Sequence, residues 1–195
     1  LNEWDTFLPI RMDKESMTQR LQWGGVDDLS AEAYTMCDDE FLYLGVVVKD
    51  DIHYDKDTPV RVWNNDSVQF AVATDRKVGA RNSEFGLGLS NGEVTLQRYT
   101  SQAINDGVIE VEFDKETEYA VKRYENEKKT VYELKIKLSD VYAVVPNMKN
   151  LKKVVFAICV NEHDGDSRGW MEYTGGGIAG TKSPVFYMDL PVYGN

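Results

Sequence analysis

Histidine and cysteine, the side chains that most often carry covalent or metal chemistry, are scarce: the 195 residues hold 2 of each. Cys37 and Cys159 stand far apart in the chain, which excludes both a zinc knuckle and a CxxC redox pair. They are either free buried thiols, packing as small hydrophobes, or a disulfide closing a long loop, worth about 2 to 4 kcal/mol in an oxidising compartment. Long apolar runs are missing too. Nothing approaches the roughly 18 residues that a bilayer-crossing helix needs, so membrane insertion is not expected. Basic residues are in deficit: 22 Lys and Arg face 33 Asp and Glu, giving a net charge of -11. Such a chain repels phosphate backbones and anionic lipid surfaces, so nucleic acid is excluded and neutral or cationic ligands are favoured. The acids are dispersed, which reads as a solvated acidic surface, with cation binding the sharper alternative.

Catalytic constellations are also missing. Nucleophilic catalysis needs a nucleophile, a base and an orienting acid brought together, and only His53 and His163 offer imidazole. Neither adjoins a GxSxG-type elbow, and both sit in Asp-rich turns, where solvent-exposed or supporting roles are expected. Carboxylate pairs for glycoside cleavage carry no signal, because 33 acids guarantee some close pairs. The glycine-rich run Gly175 to Ser183 fails twice as a phosphate loop. One extra residue separates Gly180 from Lys182, and Pro184 stands where a helix should begin. A long glycine loop between two strands is expected there, and no enzymatic activity is expected of the chain. There is no visible signal peptide, linker or repeat, and the chain opens at Leu1, as a segment of a longer polypeptide would.

What is present is a recurrent pattern of short strand-like runs. Apolar content of 42 % with 11 % aromatic residues suits a packed single domain of this length. Strands are expected over Ala31 to Cys37, Phe41 to Lys49, Ser67 to Thr74, Glu84 to Leu89, Glu93 to Tyr99, Gly107 to Phe113, Glu118 to Tyr124, Thr130 to Leu138, Val154 to Asn161 and Trp170 to Thr174. Asn91-Gly92 and Asp106-Gly107 are tight-turn signals, and Glu125 to Lys129 is a polar hairpin connection. Helical periodicity is confined to a short turn over Ser139 to Val144 before Pro146. The economical architecture is an all-β antiparallel β-sandwich, jelly-roll or immunoglobulin-like, in one domain spanning residues 1–195.

The most suggestive stretch is VWNNDSVQFAV, Val62 to Val72. Ser67, Gln69 and Ala71 alternate with Val68, Phe70 and Val72, the pattern of a strand with one wet face, and Trp63 stands just outside that alternation in a polar turn. A large aromatic there is placed either to cap the core or to serve as a platform for a ligand. The acidic turns suit a hard cation such as calcium, which takes six to eight oxygen ligands. Three clusters qualify: Asp50 and Asp51 with Asp55 and Asp57; Asp66; and the NEHDGD segment with Asn161, Asp164 and Asp166, which lacks EF-hand spacing. Asn65-Asp66-Ser67 also matches a glycosylation acceptor.

LYLGVVVKDD (Leu42 to Asp51), WNNDSVQFAV (Trp63 to Val72), YELKIKLSDV (Tyr132 to Val141) and FAICVNEHDGDSRGWMEYTGGGIAGTKSP (Phe156 to Pro184) together resemble, in that order, the family 9 carbohydrate-binding modules. The Trp-x-x-Asp-Ser-Val element and the long segment from Asn161-x-x-Asp164-Gly165 to Lys182-x-Pro184 carry most of that resemblance. LNEWD, Leu1 to Asp5, is similar to the family's first motif, without the strand that normally precedes it. The resemblance implies a β-sandwich with bound calcium and a terminal sugar gripped between two tryptophans. Stacking suits a sugar, whose C-H face covers an indole while amides, carboxylates and guanidinium groups read its hydroxyls. Trp63 matches the first tryptophan, and Gln69 stands where the family has a glutamate. Gly86 and Gly88 stand where it has an arginine and an asparagine. The second tryptophan falls near Thr181, where there is no aromatic, leaving Tyr173, Tyr187 or Trp170 as substitutes.

The resemblance therefore implies a non-catalytic module, bacterial and extracellular or cell-surface, ancillary to a secreted glycoside-active protein and joined to adjacent domains of the same polypeptide. Its expected carbohydrate contacts are Trp63, Gln69, Glu84, Tyr173 and Thr181, and its expected calcium ligands are Asp50, Asp66, Asp164 and Asp166. The competing expectation is a structural sandwich that has lost the sugar site and packs against a neighbouring domain. A haem-binding relative, needing Met or His axial ligands, is the third.

Overall fold

The computed structural model describes residues 8–73, 75–78, 80, 82–100, 112–141, 153–164, 168–175 and 177–191. Its strands, in order, are β1 (Ile10–Met12), β2 (Thr18–Gln19), β3 (Leu29–Cys37), β4 (Phe41–Asp50), β5 (Ser67–Ala73), β6 (Asn82–Ser90), β7 (Glu93–Thr100), β8 (Glu118–Tyr124), β9 (Lys129–Lys137), β10 (Lys153–His163), β11 (Arg168–Glu172) and β12 (Met188–Pro191). Among the described residues they form two antiparallel sheets. A five-stranded sheet runs β1-β3-β4-β9-β8, and a seven-stranded sheet runs β2-β11-β10-β5-β6-β7, with β12 pairing the start of β10. The expected antiparallel sandwich is what the chain builds.

Alternation dictates the core. Leu42, Leu44, Val46 and Val48 of β4 point inward with Tyr132, Leu134 and Ile136 of β9. From the other sheet they meet Val68, Phe70 and Val72 of β5, Phe85 and Leu87 of β6, and Val154, Phe156, Ile158 and Val160 of β10. Phe70 stacks on Phe85 with ring centroids 5.0 Å apart. Each such side chain contributes roughly 1.5 to 3 kcal/mol by leaving water, so this inter-sheet layer holds the fold without a staple. Cys37 lies buried in it as a free thiol.

A second, smaller apolar cluster lies on the other side of the seven-stranded sheet. Ala71, Ala73, Val155, Ala157, Cys159 and Trp170 are covered by Ile178 and Tyr187. The expected glycine loop, between β11 and β12, folds over the outer sheet face, and the alanines beneath it keep that face low. β5 is consequently buried at all seven positions. The wet face expected for Ser67, Gln69 and Ala71 is covered, because the outer layer cannot be seen from one strand's own alternation. Cys159 belongs to this outer cluster and Cys37 to the inner one, on opposite sides of the sheet, and both are free.

Smaller departures have local causes. β10 continues to His163, so Asn161 lies in the strand and not in a turn after it. β1, β2 and β12 are too short to show a period. Residues 107–111 of the expected strand Gly107 to Phe113 lie outside the described residues, and Glu112 and Phe113 are not in a strand. The helical turn spans Leu138–Val141. Asn65, offered as a glycosylation acceptor, is fully buried: its Oδ1 accepts from the Asp57 amide and its Nδ2 donates to the Leu89 carbonyl.

Candidate functional site

The outer face of the seven-stranded sheet is only partly roofed, and the uncovered part is a pocket of about 300 Å³. It is lined by Trp63, Gln69, Glu84, Tyr99, Arg168, Ala179 and Lys182. Pairing explains the convergence. β5 pairs β6 with Gln69 opposite Gly86 and Ala71 opposite Glu84, so Gln69 and Glu84 share the outer face. β10 bridges β5 to β11, which brings Arg168 to the same side. Trp63 comes from a short 3₁₀ segment, Pro59–Asn64, that begins with proline, whose fixed φ suits a first helical position.

The polar groups form one connected set. Gln69 Nε2 donates to Glu84 Oε1 at 3.0 Å, and Arg168 Nη2 donates to Gln69 Oε1 at 3.1 Å and to Asn161 Oδ1. Lys182 Nζ reaches both oxygens of the buried Glu84, at 2.8 and 2.7 Å. Lys182 adopts a left-handed backbone, φ 51°, which a non-glycine residue holds at a cost of about 1 to 2 kcal/mol. The guanidinium of Arg168 lies 5.1 Å from the Trp63 ring and 4.9 Å from the Trp170 ring, and burial pulls its pKa down.

Gly86 and Gly88 have steric reasons of their own. A Cβ on Gly86 would stand 2.5 Å from the Tyr99 hydroxyl, and one on Gly88 would stand 2.8 Å from Ser67 Cβ. The space where the family resemblance places an arginine is thus filled by a tyrosine from the next strand. Its hydroxyl accepts the Trp63 amide proton at 3.0 Å, and burial holds the phenol well above its usual pKa.

Of the five expected carbohydrate contacts, Trp63, Gln69 and Glu84 converge on the pocket and Trp63 is half-buried. Tyr173 and Thr181 are exposed and are not in the lining. Lys182, one residue on from Thr181, supplies the wall there. Tyr187 and Trp170, weighed as substitute aromatics, are buried under the glycine loop. Arg168, Tyr99 and Lys182 were missed. The alternation Arg168, Trp170, Glu172 would have put Arg168 on the outer face, but nothing in the sequence shows that β11 lies across β10 from the strand that carries Gln69. Another hollow, about 330 Å³ on the five-stranded sheet, is lined by Arg11, Asp13, Val26, Ser30, Glu32 and Lys49 among others and has no aromatic wall.

A separate acidic cluster lies where β4 ends and β5 begins. Carboxylate oxygens of Asp50 and Asp66 and a nitrogen of His53 lie within 4.8 Å of one another, as do oxygens of Asp50, Asp51 and Asp164. His53 Nδ1 is 3.3 Å from Asp66 Oδ2 and 3.8 Å from Asp50 Oδ2. Burial lowers the imidazole pKa, but the two carboxylates outweigh it and push it up to about 9. Asp66 Oδ1 accepts from the His163 amide at 2.8 Å, and burial raises the Asp66 carboxyl to about 7. Neither carboxylate oxygen of the buried Glu162 accepts from a nitrogen; burial, then Asp50 and Asp66, then the neighbouring Asp164 carboxyl push it up to about 11. Arg123 Nη1 lies 3.4 Å from Asp50 Oδ2. His53 is thus enclosed between two aspartates, and His163 stacks on Tyr54 at 4.1 Å. Both histidines are shielded from solvent, which leaves the supporting role of the two expected for them and not the exposed one. Asp166 lies outside the described residues.

An antiparallel sandwich with a polar, aromatic-walled pocket on its outer sheet face has the form of a small-ligand binding module. The chain belongs to the carbohydrate family 9 binding domain-like family, whose sequence profile matches residues 2–195. That is a family of non-catalytic binding domains. Among solved structures, the chain is similar to a family 9 carbohydrate-binding module from Caldicellulosiruptor kristjanssonii in complex with glucose. The two share 16 % identity and superpose with a TM-score of 0.67, over 100 % of this chain and 88 % of that one. A cellotriose complex of a family 9 module from the same organism gives 14 % identity and a TM-score of 0.66, over 100 % and 87 %. No match was found among curated proteins.

Proposed function

We propose that the chain is a carbohydrate-binding module whose ligand occupies the pocket of Trp63, Gln69, Glu84, Tyr99, Arg168 and Lys182. The observation that carries this reading is the convergence of Trp63, from one loop, with a ring of hydrogen-bonding side chains from five other segments. Trp63 is the stacking platform, Gln69 and Glu84 order the cationic groups, and those groups reach the hydroxyls. The glucose and cellotriose complexes of family relatives support the ligand class. The clamp of two tryptophans is replaced by one tryptophan and the wall of Ala179 and Lys182. An ancillary role beside a secreted bacterial glycoside-active protein, outside the cell, is consistent with family membership.

The acidic cluster is the proposed cation site. Buried carboxylates without nitrogen donors, as at Glu162, suit a hard divalent cation such as calcium, which would supply the missing positive charge. Asp50, Asp66, Glu162 and Asp164 are the oxygen donors that would hold it, and its role is to tie the end of β4 to the start of β5.

Calorimetry with a panel of mono- and oligosaccharides tests the platform. Trp63→Ala is expected to weaken binding at least tenfold, because an aromatic stacking contact is worth about 1 kcal/mol or more beyond its buried area. Binding heats that are unchanged in the variant would remove Trp63 from the site.

A further inference from the structure

The pocket is rich in hydrogen-bond donors and poor in acceptors, and that imbalance selects among sugars. Both oxygens of Glu84 are engaged by Lys182, and Oε1 also by Gln69. The Gln69 carbonyl oxygen is engaged by Arg168. What the side chains still offer a ligand is mainly donation, beside one remaining lone pair each on Glu84 Oε2, Gln69 Oε1 and the Tyr99 hydroxyl. Lys182 has three ammonium protons and spends two directions on Glu84. Arg168 spends only Nη2, on two neutral amide oxygens, and among the described residues it makes no ion pair and its Nη1 has no protein partner. Tyr99 accepts from the Trp63 amide and is held protonated, so its own O-H has a proton to give.

The charge balance points the same way. Arg168 and Lys182 against Glu84 leave the lining one positive charge in excess, in a chain whose net charge is -11. Arg20 adds to this field, its guanidinium 5.2 Å from the Trp170 ring. A part-buried guanidinium without a carboxylate partner is costly unless a ligand supplies the anion. A neutral sugar needs acceptors as well as donors for its hydroxyls, whereas a carboxylate accepts only and matches a guanidinium and an ammonium.

Resting on the sugar-binding reading above, we infer that this pocket is specific for an acidic sugar, a uronic acid residue whose carboxylate is held by Arg168 and Lys182 while its ring lies against Trp63. The carboxylate completes the ion pair that Arg168 lacks. Specificity of this kind is set by the partner left unsatisfied when the carboxylate is absent, not by pocket size.

The test is calorimetry at pH 7 and low salt with glucuronic and galacturonic acids, the neutral sugars glucose and galactose, the methyl esters of the two uronic acids, and sodium acetate. Each acid is expected to bind at least tenfold more tightly than its neutral counterpart. Esterification is expected to remove that advantage, and raising the salt to 0.5 M, a roughly three-fold shorter screening length than at 0.05 M, to shrink it. Lys182→Gln is expected to lower the ratio of acid affinity to neutral-sugar affinity, whatever it does to each alone. Because Arg168 also packs between aromatic rings, the ester comparison on the unaltered protein keeps the outcome independent of whether an Arg168 variant folds. Neutral sugars binding as tightly as the acids overturn the inference and leave the sugar-binding reading standing. Acetate competing as well as a uronic acid also overturns it, since the site is then one for bare anions. Silence from every sugar, neutral and acidic, overturns both readings together.

Discussion

The pocket on the outer sheet face and the acidic cluster at the β4 and β5 ends solve opposite electrostatic problems. In the pocket every carboxylate oxygen is matched by a donor, and cationic groups are left over. In the cluster Asp50, Asp51, Asp66 and Asp164 outnumber the cationic His53 and Arg123, and the buried Glu162 nearby has no nitrogen donor. One region is short of negative charge and the other of positive charge, within a single small domain. Net charge therefore describes neither. A bulk charge of -11 conceals a pocket of the other sign.

Chelating the proposed cation should have the largest effect. If calcium occupies the cluster at a hundred times its dissociation constant, it adds about 2.7 kcal/mol of stability. For a domain of this length that is roughly 5 to 10 °C in melting temperature, to be lost on chelation. Glu162→Gln is expected to abolish that response while leaving sugar binding intact. Trp63→Ala is expected to do the reverse: sugar affinity falls at least tenfold, with the chelator response preserved. Calorimetric titrations and melting curves on both variants separate the regions, and a variant that moves both readouts would merge them.

Acidity should divide the regions next. In the metal-free protein, His53 is raised to about 9, so its contribution is full below its ordinary value near 6.5 and is lost as the pH climbs through 9. Asp66 and Glu162 are raised as well, holding protons that the unfolded chain releases near pH 4, so their effect has the same sign. The melting temperature of chelated protein is expected to fall between pH 5 and pH 9. Calcium, which replaces those protons, is expected to bind more tightly over the same range. A chelated protein whose melting temperature rises with pH would contradict this.

The smallest predicted effect is steric. Gly86→Ala puts a methyl group where the Tyr99 ring lies, and overpacking of this kind costs about 1 to 3 kcal/mol. Thermal unfolding should register it, and sugar affinity should weaken a fewfold as Tyr99 shifts from the Trp63 amide.

The sequence made the two regions legible to different degrees. Strand alternation and turn chemistry located most of the sandwich, because each long strand carries its own inward face. Trp63, Gln69 and Glu84 could be named because the family resemblance and one strand pair place them. Arg168 and Lys182 could not, since each joins the pocket only through β11 and the glycine loop folding over a face that alternation suggested was wet. In the acidic cluster Asp50, Asp66 and Asp164 stood out as acids in turns. Glu162 was hidden because it lies on a strand, facing inward among residues that read as core. His53 acquires its place between two aspartates only when β4 and β5 are brought side by side.

Sugar binding in the outer-face pocket can be read from the tryptophan indole N-H signals by NMR during a titration with neutral and acidic monosaccharides. The chain has 4 tryptophans, and only Trp63 is in the pocket lining among the described residues. A saturable shift of the Trp63 signal, larger than that of any other indole, is the predicted result. Saturable binding that moves another indole and leaves Trp63 unmoved would contradict the account.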